Sequence, residues 1–465
     1  MRKSSGSWKS KLLIILALIV LFPLAVILFF RLEGDAPQVV LTPDPQALGV
    51  AQELTLKITD AKSGLRHLQV MLLTGEHQVE LARERWPISG LLRGGSVREH
   101  ALAITVQPKA LGLTDGPARL QVTATDFAWR RWLRGNRTYI EKKVVIDTQP
   151  PLVSVLTQAH NLNPGGTGLI VYKLSEDCPR SGVRVGERFF PGHGGLGGDP
   201  LLRLSFFALS YEQKRGTVLR LVAEDGAGNQ AQVGFNHYIR KKRFKKDTIR
   251  ISDGFLNRKM PEFVSIMPEI GSGSLVEQFL KVNRDLRTDS YEKIVRICQA
   301  SDPQFHWQGV FLRLPNAARK AGFADQRTYY YQDREIDRQV HMGIDLASVA
   351  QSPVPAANSG RVAFVGPIGI YGNTVVIDHG FSLFSLYSHL SDTNVVQGQT
   401  VAKGDIVGRT GSTGMAGGDH LHFGMVVHDT YINPLEWWDP HWIKDNVTDK
   451  LQAVGISFKE KKPAP

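Results

Sequence analysis

Cysteine is the scarcest residue: the 465-residue chain has two, Cys178 and Cys298. A disulfide framework or a thiolate zinc site needs more thiols than that. The two lie far apart and read as isolated thiols. Neither follows the N-terminal apolar run closely, which excludes a lipoprotein anchor. No His-Glu-x-x-His segment occurs, so helix-borne zinc-protease chemistry does not apply. Acidic residues are also short, 44 Asp and Glu against 56 Lys and Arg, leaving a formal net charge of +12. That sign favours anionic surroundings such as lipid headgroups, cell-wall polymers or nucleic acid, and does not choose among them. With 42% hydrophobic and 22% charged residues, a disordered chain is excluded. The length suits two to four domains, and 45 glycines suit β-structure with many turns.

One apolar run is long. Leu12 to Phe30 is 19 residues without a charge, enough to span a bilayer core. Arg2, Lys3, Lys9 and Lys11 precede it. It is longer than the apolar part of a usual signal peptide. It leads directly into Arg31-Leu32-Glu33-Gly34-Asp35. The expectation is an uncleaved, single-pass anchor over residues 1–34 in the inner membrane. The flanking cations put the N-terminus in the cytoplasm and the bulk of the chain in the periplasm or outside.

Residues 35–240 read as β-rich and repeated. Asp35-Ala-Pro-Gln opens the first unit (35–146) and Asp147-Thr-Gln-Pro-Pro the second (147–240). Each has a Ser-Gly pair expected to turn, Ser63-Gly64 and Ser181-Gly182. Each ends in Ala-x-Asp-x-Ala, at Ala124, Asp126 and Ala128 and at Ala223, Asp225 and Ala227. Leu54-Thr-Leu-Lys-Ile58 alternates with the period of a half-buried strand. The pattern resembles bacterial immunoglobulin-like modules, which implies two β-sandwiches acting as spacers or as platforms for envelope protein partners. The basic run Ile239 to Lys246 reads as a solvated linker, or as a contact with an anionic wall polymer or membrane surface. Nucleic acid is not an expected partner, since the anchor would hold this segment outside the cytoplasm. It opens a linker and helical connector (241–325), in which Leu275 to Asn283 and Ser290 to Cys298 show helical spacing.

The chemistry-bearing residues lie beyond Gln326. His341-Met-Gly-Ile-Asp345 places an imidazole and a carboxylate on one face of an extended segment, leaving Met342, Ile344 and Leu346 to a core. His420-Leu421-His422-Phe423 repeats that arrangement, and Tyr387-Ser388-His389-Leu390 ends another strand on a histidine. Gly380-Phe-Ser382 is expected to connect two strands as a hairpin. Two His and one Asp can hold zinc and leave a fourth position open for water, which is what hydrolysis requires. Each motif alone is weak. The ordered set, with Gly372-Asn373 and Gly411-Ser-Thr-Gly414 between them, falls within about 80 residues.

On these blocks, with Pro353-Val-Pro-Ala356 and Gly360-Arg-Val362, the segment from Arg327 to Trp437 resembles the lysostaphin/LytM-type zinc metallopeptidase domain. The resemblance implies an antiparallel β-fold with a narrow groove across one Zn²⁺. It implies His341, Asp345 and His422 as metal ligands, His389 and His420 as the other two active-site histidines, and Asn373 as a substrate-binding residue. It also implies peptidoglycan as the substrate. The expected fold is therefore mainly β: a transmembrane helix, two immunoglobulin-like sandwiches, a helical connector, a LytM-type peptidase domain (326–440) and a C-terminal tail (441–465), flexible from about Asn446. The expected function is a membrane-anchored zinc metalloendopeptidase cutting peptide cross-links of peptidoglycan. The alternative is a non-catalytic LytM-type scaffold that activates other wall hydrolases or organises an envelope complex.

Overall fold

The apolar run folds as a helix, Gly6–Arg31, whose outward residues Leu13, Phe22 and Phe29 are all more than half exposed. Among the described residues it is the one helix long and apolar enough to cross a membrane. In such a helix the backbone groups bond within the segment, except at Pro23, which has no N–H to give, so apolar side chains can face lipid. The computed structural model describes residues 6–75, 77–90 and 94–456. They gather into two compact units, Met1–Pro150 with Glu224–Gln230 and Pro151–Ala223 with Ala231–Pro465.

In the first unit, strands Gln38–Thr42, Gln52–Thr59 and Glu99–Val106 form one antiparallel sheet. Ala47–Leu48, Arg137–Ile146, Gly116–Asp126, Leu65–Thr74 and His77–Arg85 form a second. Alternation along Gln52–Thr59 turns Leu54, Leu56 and Ile58 inward to share a core with Leu68, Val70, Leu120 and Val122. Ser63-Gly64 turns as expected, with Gly64 at φ +83°. The recurring Ala-x-Asp-x-Ala has a physical basis. Asp126 accepts the backbone N–H groups of Ala128 (3.0 Å) and Asn136 (2.7 Å). Asp225 does the same for Ala227 (2.8 Å) and Asn229 (2.9 Å). In each copy the carboxylate closes the turn after the strand.

In the second unit the Ser181-Gly182 expectation fails. The pair lies inside the strand Arg180–Val185, with Gly182 opposite Pro191. Glycine is needed there because a Cβ would overlap the Phe190 carbonyl. The connector is helical over Asp253–Ile266, Leu275–Lys281 and Arg287–Ile297, and the Leu275 helix starts on a capping box of Ser274 and Glu277. The C-terminal sheet runs Ala318–Ala321, Ile344–Ala347, Leu421–Val427, Leu383–Leu390, Gly372–Gly380, Gly360–Ile368 and Thr400–Val401, all antiparallel. Phe381 (φ 52°) and Ser382 (φ 65°) form the two-residue connection of its central hairpin, both left-handed as a type I′ turn requires. Its core is continuous with that of Pro151–Ala223 and the connector: Phe206, Trp307, Phe311 and Trp437 belong to one buried cluster.

The chain from Asn446 is not a loose tail. Lys444–Thr448 and Asp449–Ala453 are helical and bury Val447 and Leu451. Apolar residues at helical spacing are too few there to advertise a helix, and tertiary packing supplies the rest. Lys459 to Pro465 lies outside the described residues.

Glu436 ties this end of the chain to the strand Thr167–Leu174. Its Oε1 accepts from Asn163 Nδ2 (2.9 Å) and its Oε2 from the Thr167 N–H (2.8 Å). Burial pushes its carboxyl up from the usual 4.5 to about 7. The folded protein thus keeps a proton that the unfolded chain releases earlier. The stability contributed by this group falls as pH rises from about 5 to 8, by at most on the order of 3 kcal/mol. Glu436→Gln is expected to flatten that slope, read as unfolding midpoints across the pH range. An unchanged slope would show that the group stays ionised in the fold.

Candidate metal centre and active site

Two adjacent strands build the centre. Ile344–Ala347 pairs with Leu421–Val427 so that Asp345 stands directly opposite His422. On its other side Leu421–Val427 pairs with Leu383–Leu390, Ser388 opposite His422, which brings His389 to the same place. His341 is not on a continuous strand with Asp345. The strand Arg334–Val340 stops just before it, and the next begins at Ile344. His341-Met342-Gly343 is a corner, and Gly343 is needed because a Cβ would overlap the His422 ring. Ile344 and Leu346 are fully buried as expected, whereas Met342 is only partly buried.

The corner folds His341 back onto Asp345. His341 Nε2, His422 Nδ1 and Asp345 Oδ1 lie 3.0 Å from one another. All three residues are buried. His341 Nδ1 is 2.8 Å from the Gly322 carbonyl, which can only accept, so the proton sits on Nδ1 and the Nε2 lone pair faces the cluster. A carboxylate oxygen and a second imidazole nitrogen face the same point. Three electron-pair donors converging in a buried site repel one another, and a shared cation removes the conflict. The donor set fits zinc, with one position left for a small ligand.

Two further imidazoles flank the cluster. The His389 ring lies 4.9 Å from that of His420 and 5.8 Å from that of His422, centre to centre. His389 holds a left-handed backbone (φ 63°) and donates from Nδ1 to Thr413 O at 2.8 Å. His420 donates from Nδ1 to Gly418 O at 2.8 Å, and its Nε2 lies 3.6 Å from Asp345 Oδ1. Both rings therefore keep Nε2 available as a proton acceptor. Burial, reinforced by the neighbouring histidines, holds His389 well below its ordinary value. His420 is also pressed down by burial, but the Asp345 carboxylate outweighs this and raises it, an influence that a cation on Asp345 would cancel. Asn373 sits at the start of Gly372–Gly380. Its Nδ2 donates to Leu390 O (3.2 Å), beside His389 and not onto the cluster.

Sequence reasoning gave Arg327 no role. It lies on the strand Gln326–Tyr331, 18 residues before Asp345, and its Nη2 donates to Asp345 Oδ2 at 3.0 Å. The guanidinium occupies one carboxylate oxygen and leaves Oδ1 to the cluster. No short spacing links the pair, so no local motif could reveal it.

Arg327, Met342 and Tyr371, whose ring lies 5.3 Å from that of His422, also wall a cavity of about 1460 Å³. Eight Lys or Arg side chains face it against one carboxylate, Glu212. Lys242, Arg243 and Lys246 of the basic run are among them, so that run lines a cavity within the second unit.

Residues 339–434 match peptidase family M23. The DD-carboxypeptidase/endopeptidase Mpg of Neisseria meningitidis serogroup B is 39% identical over 97 residues, 21% of this chain and 22% of that protein. The peptidoglycan DD-endopeptidase ShyA of Vibrio cholerae is 35% identical over 96 residues, 21% of this chain and 22% of that protein. This chain thus spans less than a quarter of the length of either relative. The catalytic domain of lysostaphin from Staphylococcus simulans is 28% identical, covering 28% of this chain and 98% of that structure, with a TM-score of 0.25. The C-terminal segment of the chain is a peptidase family M23 domain.

Proposed function

We propose that this protein is a membrane-anchored zinc metalloendopeptidase that hydrolyses peptide cross-links in peptidoglycan. The observation that carries the reading is the convergence of His341 Nε2, His422 Nδ1 and Asp345 Oδ1 at 3.0 Å, with two proton-accepting imidazoles beside them. The names of the two bacterial relatives support the substrate class. His341, Asp345 and His422 would hold the zinc, which when bound polarises a carbonyl and acidifies water. Asp345 offsets part of the ion's charge, and Arg327 fixes which of its oxygens faces the site. His389 and His420 share the proton transfers: one Nε2 takes the proton of the attacking water, and a proton returns to the departing amine. Asn373 and the cationic cavity hold the peptide, whose free carboxylates suit an arginine- and lysine-lined wall.

We place the N-terminal helix as an uncleaved anchor in the inner membrane, N-terminus inside. The segments 35–146 and 147–240 would act as spacers that carry the peptidase domain to the wall. Incubating the protein with purified sacculi, followed by mass analysis of released muropeptides, tests the reading. Cross-linked dimers should fall and monomers rise, a chelator should stop the reaction, and added zinc should restore it. Intact cross-links in the presence of zinc-loaded protein would refute it.

Arg327→Ala should weaken zinc binding by about 10- to 100-fold, the usual loss when a partner of a metal-bound carboxylate is removed. Arg327→Lys should recover only part of it, because one ammonium cannot reproduce a planar fork. Competition with a chromogenic chelator reads both. Equal affinity in all three proteins would mean that Arg327 does not position Asp345.

A further inference from the structure

The loop after Asp126 has no part in this chemistry. It joins strands Gly116–Asp126 and Arg137–Ile146 and includes Trp129-Arg130-Arg131-Trp132-Leu133-Arg134. Three consecutive non-glycine residues hold left-handed backbone angles: Arg131 (φ 48°), Trp132 (58°) and Leu133 (65°). L-residues adopt that conformation at a steric cost, and rarely in succession. Its effect is display: Trp132 is 99% exposed and Leu133 65%. In water both the strain and the exposed apolar surface go uncompensated.

The root of the loop is fastened to the end of the N-terminal helix. The Trp129 N–H donates to Arg31 O at 2.5 Å. The Arg130 guanidinium donates to Leu32 O (3.1 Å) and Glu33 O (3.2 Å). Arg31 in turn lies 5.0 Å over the Trp129 ring. The displayed pair is therefore held beside the last turn of a helix whose outward surface is apolar from Leu12 to Phe29.

We propose that this loop is a lipid-interface site: Trp132 and Leu133 seat in the outer leaflet of the bilayer that Gly6–Arg31 crosses, and Arg131 and Arg134 engage anionic headgroups. The proposal rests on the reading of that helix as a retained anchor. Tryptophan suits the headgroup level because its ring is apolar and its N–H is polar. Flanking arginines add attraction that grows with the anionic lipid fraction. A second fixed point beside the helix would also hold the first unit against the membrane surface.

The test uses the full chain in vesicles of phosphatidylcholine, with and without phosphatidylglycerol. Single variants Trp132→Cys, Leu21→Cys and Glu53→Cys carry an environment-sensitive fluorophore, while native Cys178 and Cys298 are buried from the reagent. Lipid nitroxides should quench the label at position 132 several-fold more than at exposed Glu53, most strongly from shallow depths. The difference should widen with phosphatidylglycerol. Quenching at position 21 but water-like emission at 132 would overturn the loop site and leave the anchor standing. Water-like emission at both would overturn the anchor reading and the loop site with it.

Discussion

His422→Ala is expected to lose zinc and hydrolysis together. His422 is the centre's keystone: it faces Asp345 across one strand pair, and on its other side Ser388 brings His389 into reach. Its Nδ1 is 3.0 Å from both His341 Nε2 and Asp345 Oδ1. Without it two donors remain, Asp345 on its strand and His341 on a corner that no longer packs against a ring. Removing a residue that merely supports a ligand costs about 10- to 100-fold in metal affinity, so removing the ligand itself should cost more than about 100-fold. Metal analysis after gel filtration should find the variant nearly zinc-free, and sacculi should stay cross-linked. A variant that keeps stoichiometric zinc and full activity would sink the ligand assignment.

His389→Ala should separate the two properties. Its ring neighbours the cluster but is bonded through Nδ1 to Thr413 O at 2.8 Å, so it does not complete the three-donor set. The variant should bind zinc as the parent does and lose turnover by about 10²- to 10⁴-fold, the usual worth of a positioned proton acceptor. The left-handed backbone at this residue makes alanine a strained replacement. His389→Asn is therefore the companion variant, because asparagine tolerates that conformation better. Zinc loss in both would make His389 a structural support of the metal site, and near-parental turnover in His389→Asn would remove it from the proton path.

Much of this architecture was legible because it depends on period and spacing. The charge-free run before Arg31 reads as a membrane-length helix or a leader rather than a core helix, because of its length and its basic flank. The alternation of Leu54, Leu56 and Ile58 specifies a half-buried strand, and Phe381-Ser382 is as short as a hairpin connection can be. Asp345 and His422 could be placed together on the face opposite the core because their neighbours on either side are apolar. What escaped depends on long-range contacts. Arg327 meets Asp345 only through the fold, and nothing near it in sequence marks a partner. Lys242, Arg243 and Lys246 are solvent-exposed, as their charge suggests, but only the fold gathers them with Arg188 and Arg287 round one cavity. The corner at His341 was hidden because His-x-x-x-Asp fits a strand and a turn equally well, and the need to fit the His422 ring beside Gly343 decides for the turn. Val447 and Leu451 sit in too short a segment to show a helical period.

The shared aromatic cluster bears on any attempt to shorten this chain. Trp437 packs its indole against Phe206, Trp307 and Phe311, ring centres 5.8, 5.3 and 5.3 Å away. A fragment beginning at Gln326 would carry Trp437 without any of those three companions and would shed the anchorage of Glu436 as well. Its greasy flank would invite precipitation, and poor yield of such a fragment would say nothing about its catalytic competence. A usable truncation should begin near Pro151, keeping the full set of rings in one piece.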